Sequence, residues 1–381
     1  MKRILILFSI IATLNVHATH IVGGELSYQH LGGSSYYITV KLYKDCNPGV
    51  ANFPNDVEVE AITGFGLDTL DFIVLPRLGR DTLSPEIDTC AFDPGVCVEE
   101  AIYGGIVSLP PMDGGYHLFY QTYARNGSLV NIEDPLLAGE SFYAYVPDNK
   151  IFFTNSSPVF SVPPPVFVCQ SYDLAVDFSA TDSDGDSLAY SFYTPYTGRT
   201  FDHPEHYDAD FYYPTVDLDG TPPDNITFPE VVWGPGFDAD NPLNAIGGVG
   251  LTISSDGLIS GTPEALGQYV LGVMVEEYRD GEKIGEVVRD FQLNVVSCPP
   301  PNDALIGAVD GCSGYEITFT NESGLGASDF WWDFGTGNPA DTSLLDEPTF
   351  DFSAYAPGIF TITLIAEKGS RCADTAYYEL A

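Results

Sequence analysis

Tyr269-Val270-Leu271-Gly272-Val273-Met274-Val275 sets Tyr269, Leu271, Val273 and Val275 at every second position, and Phe291, Leu293 and Val295 repeat the pattern a little further on. Side chains that alternate this way share one face of an extended strand. The same period appears in both directions along the chain. Leu174, Val176 and Phe178 carry it upstream, as do Ile38, Val40 and Leu42, which alternate with Thr39 and Lys41. Val57 and Val59 alternate with Glu58 and Glu60. Helical periodicity is almost absent, and 38 Gly and 28 Pro punctuate the runs. Short alternating strands with turn residues between them define an all-β chain built of β-sandwiches.

Two Pro-rich stretches predict where one unit ends and the next begins. Pro158 to Pro165 includes Pro163-Pro164-Pro165, and Cys298-Pro299-Pro300-Pro301-Asn302 is the second. Such segments are stiff and cannot enter a sheet interior. The expected organisation is a leader over 1–18, a β-rich domain over 19–157, a sandwich over 158–298 and a last domain over 302–381. A stretch near 199–230, rich in Asp, Tyr and Pro, reads as an insertion in the middle unit.

The leader reading rests on Lys2 and Arg3, then eleven residues from Ile4 to Leu14 that are too few to span a bilayer, then Val16 and Ala18 at the positions a signal peptidase reads. It predicts an extracellular or cell-surface location. No later stretch is long and apolar enough to span a membrane as a helix. Acidic residues number 54 against 14 basic ones, a formal net charge of -40. That surface repels nucleic acid phosphates, suits cations and keeps an exported chain soluble. Aromatic content, with 23 Tyr and 24 Phe, argues against disorder.

Seven Cys in an exported chain predict disulfides with one thiol left over. Cys90 and Cys97 enclose a short loop and form one expected pair. Cys312 and Cys372 flank the last domain and form the other, because they sit beside strands expected to lie close in a sandwich. Cys46, Cys169 and Cys298 have no evident partner in the spacing. No Cys-x-x-Cys pair is present, which excludes a zinc cluster of that kind.

The last domain resembles a PKD domain, an immunoglobulin-like sandwich. The resemblance rests on Trp332-Asp333-Phe334-Gly335-Thr336-Gly337, then Pro348, Tyr355, Pro357-Gly358 and Phe360-Thr361-Ile362-Thr363-Leu364. Thr336 stands where the family usually has Asp, so no role of that Asp is carried over. The middle unit resembles cadherin-like and immunoglobulin-like modules of bacterial surface proteins through Ala180-Thr181-Asp182-Ser183-Asp184-Gly185-Asp186-Ser187-Leu188 and Gly257-Leu258-Ile259-Ser260-Gly261-Thr262-Pro263. The first unit, with Ala18-Thr19-His20-Ile21-Val22-Gly23-Gly24-Glu25, Tyr43 to Cys46 and Gly114 to Tyr116, is similar to the start of large PKD-containing proteins of Bacteroidota. The resemblance implies tandem immunoglobulin-like β-sandwiches. It also implies a link to type IX secretion and gliding motility, with a sorting domain beyond Ala381.

Several strings imitate catalytic signatures without the rest of the machinery. Ile21-Val22-Gly23-Gly24 looks like the start of a trypsin-like protease, yet no Gly-Asp-Ser-Gly-Gly follows. Gly185-Asp186-Ser187-Leu188 spells an esterase motif, but the last His in the chain is His206, so no late His is available as a base. His203, Glu205, His206, Asp208 and Asp210 are dense in ligand atoms, but Pro204 breaks any helix that would present two His together. No enzyme is expected.

Asp182, Asp184 and Asp186 are the candidate metal ligands, and the ion they suit is calcium. They fall on a turn between alternating strands over 174–180 and 187–193, where three close carboxylates repel unless water, salt or a cation screens them. The spacing is not that of an EF-hand, so more oxygens would come from elsewhere, with Glu276 or Glu277 the nearest candidates. A polar hairpin turn built on Asp184-Gly185 is the alternative. No cofactor is required by any other motif.

The expected function is adhesion, ligand binding or surface assembly outside the cell, with an extracellular protein or polysaccharide as partner and the secretion machinery met in transit. The alternative is a carbohydrate-binding accessory region of a larger secreted enzyme. In that case Trp233, Trp331 or the tyrosines of the insertion would stack on sugar rings rather than pack inside.

Overall fold

The computed structural model describes residues 21–46, 52–63, 69–83, 95–123, 125–198, 215–216, 226–244, 250–298, 303–310, 314–324, 327–369 and 373–381. The leader, Cys90, Cys312, Cys372 and the cluster from His203 to Asp210 lie outside the described residues. The chain is all-β. Two compact units form, the larger from residues up to Leu83 together with Val96–Val295, and the smaller chiefly from the residues from Val296 on.

In the larger unit the long strands are β1 (Ile21–Gly32), β2 (Ser35–Asp45), β3 (Asp56–Thr63), β4 (Thr69–Leu83), β5 (Val98–Ser108), β6 (Tyr116–Thr122) and β7 (Glu140–Val146). Short strands follow: β8 (Val159–Phe160), β9 (Val168–Cys169), β10 (Leu174–Asp177), β11 (Ala180–Thr181), β12 (Ser187–Phe192), β13 (Thr215–Val216), β14 (Ile226–Thr227), β15 (Thr252–Ile253) and β16 (Leu258–Gly261). The long hairpin of β17 (Gly267–Arg279) and β18 (Glu282–Val296) completes it.

Strand order in the main sheet is β1-β2-β5-β4-β3-β6-β7-β18-β17-β12, and β1 pairs β18 as well. The circuit from β1 through β7 and β18 therefore returns to β1. Two strands make this geometry. β4 pairs β3 with its first half and β5 with its second, and its register shifts between Arg77 and Gly79. β18 pairs β17 along one edge, while the other edge meets β7 at Val287↔Ala144 and β1 at Gly23↔Phe291.

Leu26, Val40, Leu118, Phe142, Phe160, Phe178, Leu271, Val287 and Leu293 are buried in a single apolar cluster. That cluster corrects the division expected near 157. Residues from both sides of that point share one sheet and one core. The Pro-rich stretch is tied in locally too. Ser157 and Tyr28 exchange backbone and side-chain hydrogen bonds, and β8 pairs β11 at Val159↔Thr181 and Phe160↔Ala180. Prolines bracket these contacts without interrupting them, because β8 needs only two paired residues.

The smaller unit has β19 (Ile306–Asp310), β20 (Glu316–Asn321), β21 (Phe330–Asp333), β22 (Thr342–Ser343), β23 (Thr349–Asp351), β24 (Phe360–Ala366) and β25 (Asp374–Leu380). They form a three-stranded sheet, β19-β20-β23, and a four-stranded sheet, β22-β21-β24-β25. Phe319, Trp332, Phe334, Ile362 and Leu364 fill the space between, as the alternation predicts for a sandwich. Gly335 has φ 69° and turns the chain after Phe334. A Cβ there would fall 2.4 Å from the carbonyl oxygen of Thr361, so only glycine fits.

Candidate metal centre

Asp182, Asp184 and Asp186 occupy the turn between β11 and β12, as the sequence predicts. Asp182 shapes that turn itself. Its Oδ1 accepts the backbone N–H groups of Asp184 and Asp186, both at 2.9 Å. Gly185, at φ 86°, supplies the left-handed step.

The three aspartates then part company. Asp184 is exposed, and its Oδ2 accepts the backbone N–H of Ser156 at 2.7 Å. Asp182 and Asp186 face Glu277 of β17, and one ligand oxygen from each of the three lies within 4.8 Å of the other two. Glu277 thus stands in the place expected of Asp184. Glu276 turns the other way and takes Lys283 at 2.6 Å.

Local structure aims Glu277 inward. It lies opposite Leu188 of β12, and the β17–β18 register slips between Glu277 and Tyr278. Such a bulge re-aims a side chain. Gly285, opposite Glu277, makes room for it, since a Cβ there would sit 2.5 Å from Glu277 Oε2. Glu277 is 0% exposed. Its Oε2 accepts Asn155 Nδ2 at 3.1 Å, and the same amide nitrogen donates to the Tyr28 hydroxyl.

Arg279, two residues on, holds Asp186 with Nε at 2.7 Å and also with Nη2. Its remaining donors go to Asn155 Oδ1 at 2.6 Å and to the Thr154 carbonyl at 3.1 Å. These hydrogen bonds hold the Asp186 carboxyl below the usual carboxylate range. Glu277 goes the other way. Burial, then a hydrogen bond shared with Asp186 and the nearby negative charges, push it up to about 9, against the pull of Asn155. Asp182 Oδ2 and Glu277 Oε1 are buried without a hydrogen-bond partner.

The disulfides need correcting. Cys97 pairs with Cys46, not with Cys90. The β2–β5 register sets Asp45 opposite Val98, which brings the neighbouring Cys46 and Cys97 side by side with Cα atoms 5.4 Å apart. Cys169 and Cys298 are disulfide-bonded as well. Ser187 of the esterase-like string simply opens β12. Trp233 is half-buried, and its indole N–H donates to Thr194 Oγ1 at 3.2 Å. Trp331 faces outward with Lys368 Nζ 3.1 Å from its ring centroid.

Sequence reasoning missed two buried ionic groups in the larger unit. Arg289 of β18 pairs Glu25, which also takes Lys41 at 2.8 Å. Arg125 holds Asp290 at 3.1 and 2.5 Å, with Glu140 3.7 Å away. The available signal was Arg289-Asp290 standing between Val287-Val288 and Phe291 in an otherwise apolar run. Charges in such a run are buried only when paired.

No protein-family model matches the chain, and none of the curated proteins matches it. Solved structures that resemble it include domains A168–A170 of titin, at 10% identity and TM-score 0.22, covering 94% of this chain and 98% of that one. The FN1–FN3 domains of chicken CNTN1 are similar at 9% identity and TM-score 0.21, covering 94% and 97%. The human Desmocollin-1 ectodomain follows at 10% and 0.16, covering 91% and 64%. At TM-scores this low, the fold rests on the chain's own strands and registers.

Proposed function

We propose that this chain is an exported, non-enzymatic protein of the cell surface or extracellular space, acting in adhesion, ligand binding or surface assembly. The Cys46–Cys97 disulfide supports the compartment, because such links persist where thiols are oxidised. No helix among the described residues is long and apolar enough to cross a membrane. The resemblance to PKD-containing surface proteins of Bacteroidota supports the same reading, with type IX secretion as the route and gliding motility as the setting.

The observation that carries the binding role is the outer face of the four-stranded sheet. Trp332 and Leu364 point into the core, so Trp331, Asp333, Thr361 and Thr363 point out. Tyr377 lies opposite Thr363 and Glu379 opposite Thr361, which extends the face onto β25. Tyr377 is 70% exposed. Two aromatic rings among hydroxyls and carboxylates on one face of a sheet suit a polar polymer, protein or polysaccharide. The same rings support the second reading, a carbohydrate-binding accessory region of a larger enzyme.

Binding of the leader-free chain to glycan and extracellular-protein arrays tests both. Saturable binding that drops in Trp331→Ala and Tyr377→Ala supports the role, and the array that responds separates the two readings. Turnover on ester, peptide or glycoside substrates would overturn the non-enzymatic assignment.

A further inference from the structure

We propose that Asp182, Asp186 and Glu277 bind one calcium ion, which clasps the β11–β12 turn onto β17 beside the Asn155 segment. The inference goes beyond the surface role and does not depend on it. It rests on spacing, on orphaned oxygens and on charge.

The three ligand oxygens lie within 4.8 Å of one another. Calcium holds oxygens at roughly 2.3–2.6 Å, so ligands on opposite sides of one ion stand about 5 Å apart. The cluster therefore fits around a single calcium without rearrangement of the backbone. A donor set of carboxylates alone suits a hard cation and not zinc or copper.

Glu277 is 0% exposed, yet its Oε1 has no partner, and neither has Asp182 Oδ2. A buried carboxylate oxygen without a partner is costly, so each needs a cation or a proton. Arg279 does not meet that need. Of the three carboxylates it hydrogen-bonds only Asp186, and its other donors go to Asn155 and Thr154. Three carboxylates and one guanidinium leave two negative charges, which one divalent ion balances. The turn itself is exposed at Ser183, Asp184 and Gly185, which leaves a way in for the ion and for the waters that complete its shell.

Asp184 is outside the site. Its carboxylate instead anchors the turn to Ser156. The ion would thus join residues 182–186 to Glu277, a pair of stretches already tied to residues 154–156 by the hydrogen bonds of Glu277, Arg279 and Asp184. The rival state is a proton on Glu277 shared with Asp186, and it binds no metal.

Calorimetric titration of the leader-free chain with calcium, at fixed ionic strength and with magnesium as control, separates the two. The expected result is one saturable calcium site per chain and a calcium-dependent rise in Tm. Magnesium should bind more weakly, since it demands a tighter octahedron. Asp182→Asn and Glu277→Gln should each weaken binding about tenfold or more, while Asp184→Asn leaves it within about twofold. Absence of saturable heat and of any Tm shift at millimolar calcium would overturn the proposal. So would undiminished binding in Asp182→Asn and Glu277→Gln. Should those variants not fold, crystals of the unaltered chain grown with calcium give the answer: an anomalous peak among the three carboxylates supports the site, and no peak there refutes it.

Discussion

Gly23 of β1 lies so close to Asp290 of β18 that a Cβ on Gly23 would fall 2.3 Å from the Asp290 carbonyl oxygen and 2.7 Å from the Phe291 Cα. Gly23 also has φ 145°, which L side chains rarely adopt. This contact is where the first strand of the larger unit meets its last. Gly23→Ala should therefore lower the unit's stability by about 1–3 kcal/mol through overpacking and backbone strain. Urea unfolding measures it. A variant as stable as the parent would show that β1 and β18 are not held at this distance.

A consequence follows for proteolysis. Because β8 and Ser157 are tied to β11 and Tyr28, residues 158–166 should resist cleavage while the folded unit persists. Cutting is expected instead near 296–303, where the second unit begins. Mass spectrometry of reduced digests identifies the ends. Early fragments ending at 158–166 would restore the division the prolines suggest.

Strands and their inward faces were legible in the sequence, and their partners were not. The alternation from Tyr269 to Val275 marks a strand wherever it pairs. Nothing local says that β18 meets β17, β7 and β1 along its length. The prolines at 158–165 read as a spacer because proline disfavours sheet interiors, and the two paired residues between them were too short to register. Cys90 and Cys97 are close in sequence, whereas Cys46 and Cys97 are close only once β2 and β5 pair. In the metal centre the aspartate turn was visible from its spacing. Of Glu276 and Glu277, both offered by the sequence, a bulge in a long hairpin turned Glu277 into the carboxylate cluster, and Asp184 left it through a hydrogen bond to a residue 28 positions away.

The Cys46–Cys97 link closes a separation of 51 residues. On the chain-entropy account, closing such a loop stabilises by about 4 kcal/mol. Non-reducing peptide maps should contain this pair, and Cys46→Ala with Cys97→Ala should lower unfolding midpoints accordingly. A Cys90–Cys97 peptide, with Cys46 free to react with a thiol reagent, would refute it.

The final expectation concerns pH and the buried group around Glu140 of β7. Glu140 is faced by Arg125 from the segment after β6, by Asp290 of β18 and, through its phenol, by Tyr193 after β12. Burial first, and the Asp290 charge after it, push the Glu140 carboxyl from 4.5 up to about 8, while Arg125 pulls it down. The folded chain therefore keeps a proton that the unfolded chain releases above about pH 4.5. Stability from this group is complete below that pH and is lost as pH rises toward about 8, since the unfolded state then binds fewer protons. Asp186, held low by Arg279, acts in the opposite sense and only at more acidic pH. Glu140→Gln carries no titrating proton, so its stability should stay flatter across the window, with a difference on the order of a few kcal/mol. Urea midpoints from about pH 5 to about pH 8 make the comparison. Parallel decline in the variant and the parent would assign the pH dependence to other groups.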